Sequence, residues 1–112
     1  MTFDFQNYLG PVPAHRHQNP DGSEGGWVAD SAKVESTCFI GPDAWVFGEA
    51  QVFGDAWVYG EALVFGEAQV FGDTWVYGGT EATGDAKLDS GYFKNQIIWG
   101  KEKEKSWRFY EF

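Results

Sequence analysis

Cysteine, histidine and positive charge are scarce in this sequence of 112 residues. The one cysteine, Cys38, excludes an internal disulfide framework. Lys and Arg number 8 against 17 Asp and Glu, and the resulting net charge of -9 repels nucleic acid and anionic membranes. No apolar run reaches the about 18 residues of a membrane span, and no secretory signal is visible. We therefore expect a cytoplasmic protein that binds neither a membrane nor nucleic acid directly.

Glycine, aromatic residues and an internal repeat are abundant instead. The segment 51–60, QVFGDAWVYG, returns at 69–78 with only Ala56 replaced by Thr74. The basic unit is six residues long and begins at an aliphatic residue, as in Val46, Val52, Val58, Val64 and Val70. A small residue lies four places further on, as in Ala50, Ala56, Ala62, Ala68 and Thr74. Such self-similarity is typical of a solenoid.

The spacing predicts how each unit folds. The small residue and the next aliphatic residue are two apart, so on an extended strand they point to the same side, and we place them in the core. Glycines two places after the aliphatic residue suit a corner with positive φ: Gly48, Gly54, Gly60, Gly66, Gly72, Gly78 and Gly84. A strand and a corner every six residues, with identity best at eighteen, predict an all-β fold, a triangular parallel β-helix. Residues 28–88 make about three coils.

This pattern resembles the hexapeptide repeat of left-handed β-helix proteins, and it covers a little over half of the chain. The left hand is implied by that resemblance. The segments 19–22, NPDG, and 25–30, GGWVAD, also resemble the start of such helices in uncharacterised bacterial and phage reading frames. The resemblance brings a distant relation to hexapeptide acyltransferases and γ-class carbonic anhydrases.

Stacking by eighteen residues sorts the outward side chains into three faces. The first face carries Trp27, Trp45 and Leu63 beside Phe47 and Phe65. The second face carries Phe39, Trp57 and Trp75 beside Tyr59 and Tyr77. The third face carries Lys33, Gln51, Gln69 and Lys87 beside Phe53 and Phe71. Ladders of rings stabilise strand pairing, but two exposed aromatic faces exceed what a monomer normally shows.

Two covers for these faces are open from the sequence. One is the chain's own ends: Phe3, Phe5, Tyr8 and Leu9 before the helix, and a C-terminal hairpin of 96–99 with 106–111 after it. The other is a second subunit. We expect a homo-oligomer, a trimer or dimer, with its interface at Trp57, Tyr59, Trp75 and Tyr77. A sugar stacked on the rings is a third possibility.

The corners of the coils carry carboxylates in three columns. The first corner reads Glu49, Glu67 and Asp85, the second Asp55 and Asp73, and the third Asp43 and Glu61. Asp and Glu can serve there simply as turn formers and solubilising groups. Alternatively, the columns attract a basic partner surface, as a mimic of nucleic acid would. We name Glu49, Asp55, Glu61, Glu67, Asp73 and Asp85 as candidate partner-binding residues.

Catalysis has little support in the sequence. The enzymes of the resembled family depend on histidine as base or zinc ligand, but this chain has only His15 and His17, upstream of the first coil. We expect both in a solvated loop between Pro13 and Pro20, although residues two apart on an extended segment could share a metal. Cys38 occupies a core position. We predict no catalytic residue, no metal site and no cofactor, and lean against an enzyme.

The sequence thus divides into an N-terminal arm and loop (1–26), a left-handed β-helix (27–90) and a C-terminal capping or hairpin segment (91–112). The function we expect is a non-catalytic acidic binding module that acts through protein–protein contact. A specific form is a phage-encoded inhibitor that occupies a basic, nucleic-acid-binding surface of a host protein. The alternatives are an acyltransferase-like enzyme and a purely structural oligomeric spacer.

Overall fold

The computed structural model describes residues 1–6 and 10–99 as an all-β fold. None of these residues lies in a helix, so none belongs to a helix that could cross a membrane. The strands are β1 (Thr2–Asp4), β2 (Pro11–Gln18), β3 (Glu24–Ala29), β4 (Lys33–Val34), β5 (Phe39–Ile40), β6 (Trp45–Val46), β7 (Gln51–Val52), β8 (Trp57–Val58), β9 (Leu63–Val64), β10 (Gln69–Val70), β11 (Trp75–Tyr77), β12 (Glu81–Ala82), β13 (Lys87–Leu88), β14 (Tyr92–Lys94) and β15 (Ile97–Ile98).

Three sheets contain these strands, and from β3 onward neighbours in a sheet are three strands apart in the chain. The sheet of the first face has the order β1-β2-β3-β6-β9-β12-β15, that of the second β14-β11-β8-β5, and that of the third β13-β10-β7-β4. From β3 onward every pairing is parallel, as between β7 and β10 or β8 and β11. The chain is therefore a parallel β-solenoid of about four turns, and the expectation of stacked parallel coils is confirmed.

The solenoid extends further along the chain than the sequence repeat does. Trp75 pairs with Tyr92 and Glu81 pairs with Ile97, spacings of seventeen and sixteen residues rather than eighteen. These shortened corners add β14 and β15 to two of the sheets, so the count of about three coils is replaced by about four. The second strand of the predicted hairpin, 106–111, lies outside the described residues.

The interior is filled by the residues that the repeat places inward. Val52, Ala56 and Val58 have no exposed surface, and the same holds along the stack for Val46, Ala50, Ala62, Val64, Ala68, Val70 and Val76. Each coil hydrogen-bonds to the next through its backbone, for example from the Phe53 N–H to the Val70 carbonyl at 2.9 Å. The predicted core positions are confirmed.

The corners depend on glycine for two reasons. Gly54 has φ 75°, a left-handed conformation that side chains other than glycine's rarely adopt. A Cβ at Gly54 would also lie 2.8 Å from the Gly72 nitrogen of the next coil. All seven corner glycines predicted from the repeat have positive φ.

The N-terminal arm adds two antiparallel strands to the first sheet. β2 pairs with β3, and β1 pairs with β2. The expectation of a solvated loop at His15 and His17 is wrong, because both lie on β2. Pro13 suggested a loop since it lacks a donor, but its carbonyl still accepts a hydrogen bond from the Asp30 N–H at 2.9 Å.

Candidate protein-binding surface

The six predicted partner-binding carboxylates are all exposed, at three separate corners of the solenoid. At the first corner the Glu49 N–H donates to the Gly66 carbonyl and the Glu67 N–H to the Gly84 carbonyl, each at 2.8 Å. Because of this backbone bonding, successive residues of the column lie one strand spacing apart, about 4.8 Å per coil. Asp55 and Asp73 stack at the second corner, and Glu61 lies at the third with Asp43. The structure therefore presents three acidic edges and does not gather the six into one cluster.

The second face brings together the four predicted interface residues. Trp57 and Trp75 stack with centroids 5.3 Å apart, and Tyr59 and Tyr77 stack 5.0 Å apart with nearly parallel rings. Trp57 still exposes 40% of its surface. Burial, with Tyr77 and Tyr92 nearby, raises the pKa of the Tyr59 hydroxyl, so this phenol is a neutral hydrogen-bonding group at physiological pH.

One residue of this face escaped the sequence analysis. Tyr92 packs against Trp75 at 5.3 Å with tilted rings and exposes 68% of its surface. Tyr92 on β14 pairs with Trp75 on β11. The two residues are seventeen positions apart in the sequence, one fewer than the eighteen-residue period. A search for aromatic residues at seventeen and eighteen residues could have found it. The aromatic column of the second face thus runs through four strands, from Phe39 to Tyr92.

The chain's own N-terminal arm covers the first face at its first coils. Phe3 stacks on Trp27 at 4.7 Å, and Phe5 stacks on Phe47 at 4.8 Å. Phe5 is buried in a cluster with Phe47. Of the two covers that the sequence left open, the first face therefore uses the arm. Tyr8 and Leu9 lie outside the described residues.

Arg16 also contacts the first face. Its guanidinium lies 5.3 Å from the centre of the Trp27 ring, and its Nε donates to the Gly25 carbonyl at 2.7 Å. This is a cation–π contact with Trp27, the first ring of the tryptophan column on this face. It shows that the ring column of a face accepts a guanidinium.

The third face is the most polar. A shallow trough of about 600 Å³ runs along it, lined by Ser31, Lys33, Glu49, Gln51, Glu67, Gln69, Asp85 and Lys87. Lys33 and Lys87 place positive charge in the same trough as the carboxylates of the first corner. Phe53 and Phe71 stack beside it at 4.9 Å.

The two histidines are held apart by different partners. His15 is exposed, and its Nδ1 lies 2.7 Å from Asp30 Oδ1. His17 is buried, and its Nε2 lies 2.8 Å from the Cys38 carbonyl oxygen. The pairing of β2 with β3 shifts register between Arg16 and Gln18, next to His17. The described residues contain no group of three or more side chains that could hold a metal ion.

Burial decides the chemistry of His17 and Cys38. Desolvation lowers the pKa of His17, with a smaller lowering by the charge of His15 and an opposing effect of the hydrogen bond to Cys38. Desolvation raises the pKa of the Cys38 thiol, which has no exposed surface. A buried thiol with a raised pKa is a poor nucleophile, so Cys38 acts here as a core residue.

Comparison of the chain with protein-family models, with curated proteins and with solved structures finds no match. The fold is therefore described by its own geometry, as a β-solenoid of stacked parallel coils.

Proposed function

We propose that this protein is a non-catalytic binding module, which uses the carboxylates at its corners to contact a basic surface of another protein. We further propose that its coils are left-handed and of the hexapeptide type, with triangular sections. The six-residue period and the glycine corners support this finer description. The module would act in the cytoplasm, and a phage-encoded inhibitor of a host protein is the specific form that we favour.

The observation that carries the proposal is the regular spacing of exposed charge. Segment 27–88 holds ten acidic and two basic residues, so -8 of the total charge of -9 belongs to the coils. Along a corner the carboxylates repeat every ~4.8 Å. Phosphates repeat every ~3.4 Å along one strand of DNA. A rigid row of negative charge at comparable spacing suits a protein surface that ordinarily binds nucleic acid.

The alternatives have less support. An acyltransferase-like enzyme uses a histidine base in or beside its coils. His17 is buried, which leaves His15, on strand β2 of the arm, as the one candidate base. A structural spacer does not need charged corners in register. A homo-oligomer through Trp57, Tyr59, Trp75 and Tyr77 stays a prediction, which light scattering on the wild type and on Trp57→Ser with Trp75→Ser would test.

A labelled nona-arginine peptide tests the proposed function by fluorescence anisotropy at 50 and 300 mM salt. We expect binding at low salt, weakening at high salt and competition by unlabelled duplex DNA for the peptide. The test variant neutralises the six column residues, from -9 to -3, as Glu49→Gln, Asp55→Asn, Glu61→Gln, Glu67→Gln, Asp73→Asn and Asp85→Asn.

A matched control removes the same charge from residues outside the columns: Asp4→Asn, Glu24→Gln, Asp89→Asn, Glu102→Gln, Glu104→Gln and Glu111→Gln. We expect the column variant to lose most of its affinity, at least about tenfold, since it removes six carboxylates that can pair with arginine. The control should keep more of its affinity. Equal binding by the two variants, or no binding by the wild type, would refute the proposed function.

A further inference from the structure

The first and second faces differ in what covers them. Phe3 and Phe5 of the arm stack on the first face. On the second face Trp57 remains 40% exposed and Tyr92 68% exposed. The column of rings spans four strands, about 14 Å at ~4.8 Å per strand. A continuous aromatic surface of this kind marks an interaction site.

Carboxylates border the second face on both sides. The run Asp55-Ala56-Trp57-Val58-Tyr59-Gly60-Glu61 crosses the face once, and its outward residues are a carboxylate, two rings and a second carboxylate. Asp73 continues the border at the second corner, and Asp43 continues it at the third. An aromatic centre with a charged rim is the usual layout of a protein–protein interface. Here the rim has one sign.

The sign of the rim bears on which partner can dock. All three corners of the solenoid are acidic, so contact of the second face with the first or second face of a second copy brings carboxylates close to carboxylates. The third face carries Lys33 and Lys87, but beside Glu49, Glu67 and Asp85. Like charges in such positions are unfavourable. A partner with a basic rim instead gains complementary pairs on both sides of the rings. Charge complementarity therefore favours a basic protein over a second copy.

The chain itself shows the chemistry of such a contact. Arg16 places its guanidinium 5.3 Å from the centre of Trp27, in the column of the first face. On the second face the ring of Trp57 lies between Phe39, at 4.6 Å, and Trp75, at 5.3 Å, with both neighbours stacked on it. The place equivalent to that of Trp27 is therefore the end ring of the column, Tyr92 on the edge strand β14, which is 68% exposed. Arginine suits this place better than lysine, because its planar guanidinium both stacks on rings and pairs with carboxylates.

We infer that the second face is the docking site for an arginine-bearing surface of the basic partner, with a guanidinium stacked on the end ring Tyr92, further side chains packed against the exposed edge of Trp57, and guanidinium groups paired with Asp55 and Asp73. This inference rests on the proposed function and specifies which part of the solenoid performs it. The first corner, between the first and third faces, does not border this site. At 150 mM salt charges act over about 8 Å, so carboxylates at the first corner contribute little.

Two charge-matched double variants separate the inference from general attraction. Asp55→Asn with Asp73→Asn neutralises the border of the second face, and Glu49→Gln with Glu67→Gln neutralises the same number of stacked, exposed carboxylates at the first corner. We measure binding of the nona-arginine peptide at 150 mM salt. We expect about a fivefold loss for the first pair and less than about twofold for the second.

The rings are tested with Trp57→Ser plus Tyr92→Ser, the two exposed rings of the column, for which we expect at least about a tenfold loss, with the circular dichroism spectrum and melting temperature as a check on folding. If this variant does not fold, Trp57→Ser alone and the Asp55 and Asp73 pair still decide the matter. A nona-lysine peptide should bind at least about threefold more weakly than nona-arginine.

Each remaining outcome overturns a stated part of the idea. Equal losses from the two charge pairs would place binding on the general field of the corners, and the proposed function would survive alone. A wild type that binds no peptide would remove both proposals. A dimer or trimer that dissociates in the Trp57 and Trp75 variant would assign the second face to a second copy. Equal affinity for lysine and arginine peptides would exclude stacking.

Discussion

Substituting a corner glycine tests whether the close stacking of coils stabilises the solenoid. Gly54 and Gly22 both have positive φ, 75° and 88°. A Cβ at Gly54 would lie 2.8 Å from the Gly72 nitrogen, whereas one at Gly22 would have nothing within 4 Å. The two glycines therefore share the conformational cost of a substitution and differ in the steric cost. Gly54→Ala and Gly22→Ala form a matched pair.

The magnitudes follow from these two costs. The left-handed conformation costs alanine about 1–2 kcal/mol, and the smaller entropy of the unfolded chain offsets about 0.4–1 kcal/mol of it. Gly22→Ala should therefore lower the free energy of unfolding by about 0–1.5 kcal/mol. At Gly54 the Cβ must push a neighbouring coil aside, which adds about 1–3 kcal/mol, as in an overpacked core.

Urea denaturation followed by tryptophan fluorescence and by circular dichroism measures the difference. We expect a lower midpoint for Gly54→Ala than for Gly22→Ala at an unchanged slope, because the surface exposed on unfolding is the same. If the two variants agree within about 0.5 kcal/mol, the scatter of ordinary surface substitutions, then the corners need glycine for its φ alone and the argument from stacking fails.

Two further predictions concern the buried groups below the arm. Because burial lowers the pKa of His17 from 6.5, the unfolded chain takes up a proton at this residue first as pH falls, and the wild type loses stability below pH ~6.5. In urea midpoints measured between pH 5 and 7.5, His17→Gln should lack this part of the loss. Parallel curves for the two proteins would contradict the reasoning. The Cys38 thiol has no exposed surface and a raised pKa. It should therefore resist iodoacetamide at pH 8 in the native protein and react quickly in denaturant. Rapid labelling of the native protein would contradict this and show that the first coils open.

The repeat was sufficient to predict the middle of the fold. An aliphatic residue such as Val58 returns every six positions because each strand must place one such side chain in the narrow core. The backbone hydrogen bonds between coils allow one register only. Side chains that obey such a rule are predictable, and so are the rings of the second face, since Trp57 and Trp75 occupy one position of the unit. The glycine corners follow for the same reason.

The ends of the solenoid escaped prediction because they do not repeat. The last coil shortens its corners, so Tyr92 and Ile97 fall at spacings of seventeen and sixteen residues from their partners. At the other end, His17 is buried on β2 beside a register shift, where the flanking Pro13 and Pro20 had suggested a solvated loop. Terminal repeats are atypical because one side of each faces solvent or a cap.

The same asymmetry between repeats and ends distinguishes the first face from the second, the surface that we propose for binding, among the residues that the structure describes. Along the coils, the first and second faces carry the same kinds of outward side chain: one column rich in tryptophan and, beside it, a column of phenylalanine or tyrosine rings. What distinguishes them is the arm, because Phe3 and Phe5 stack on Trp27 and Phe47 of the first face. The repeat therefore supplies two candidate surfaces, and a non-repeating segment of a few residues covers one of them. An arm that covered the second face would have left the first face, bordered by Asp43 and Glu61 on one side and Glu49 and Glu67 on the other, with the same aromatic centre and acidic rim.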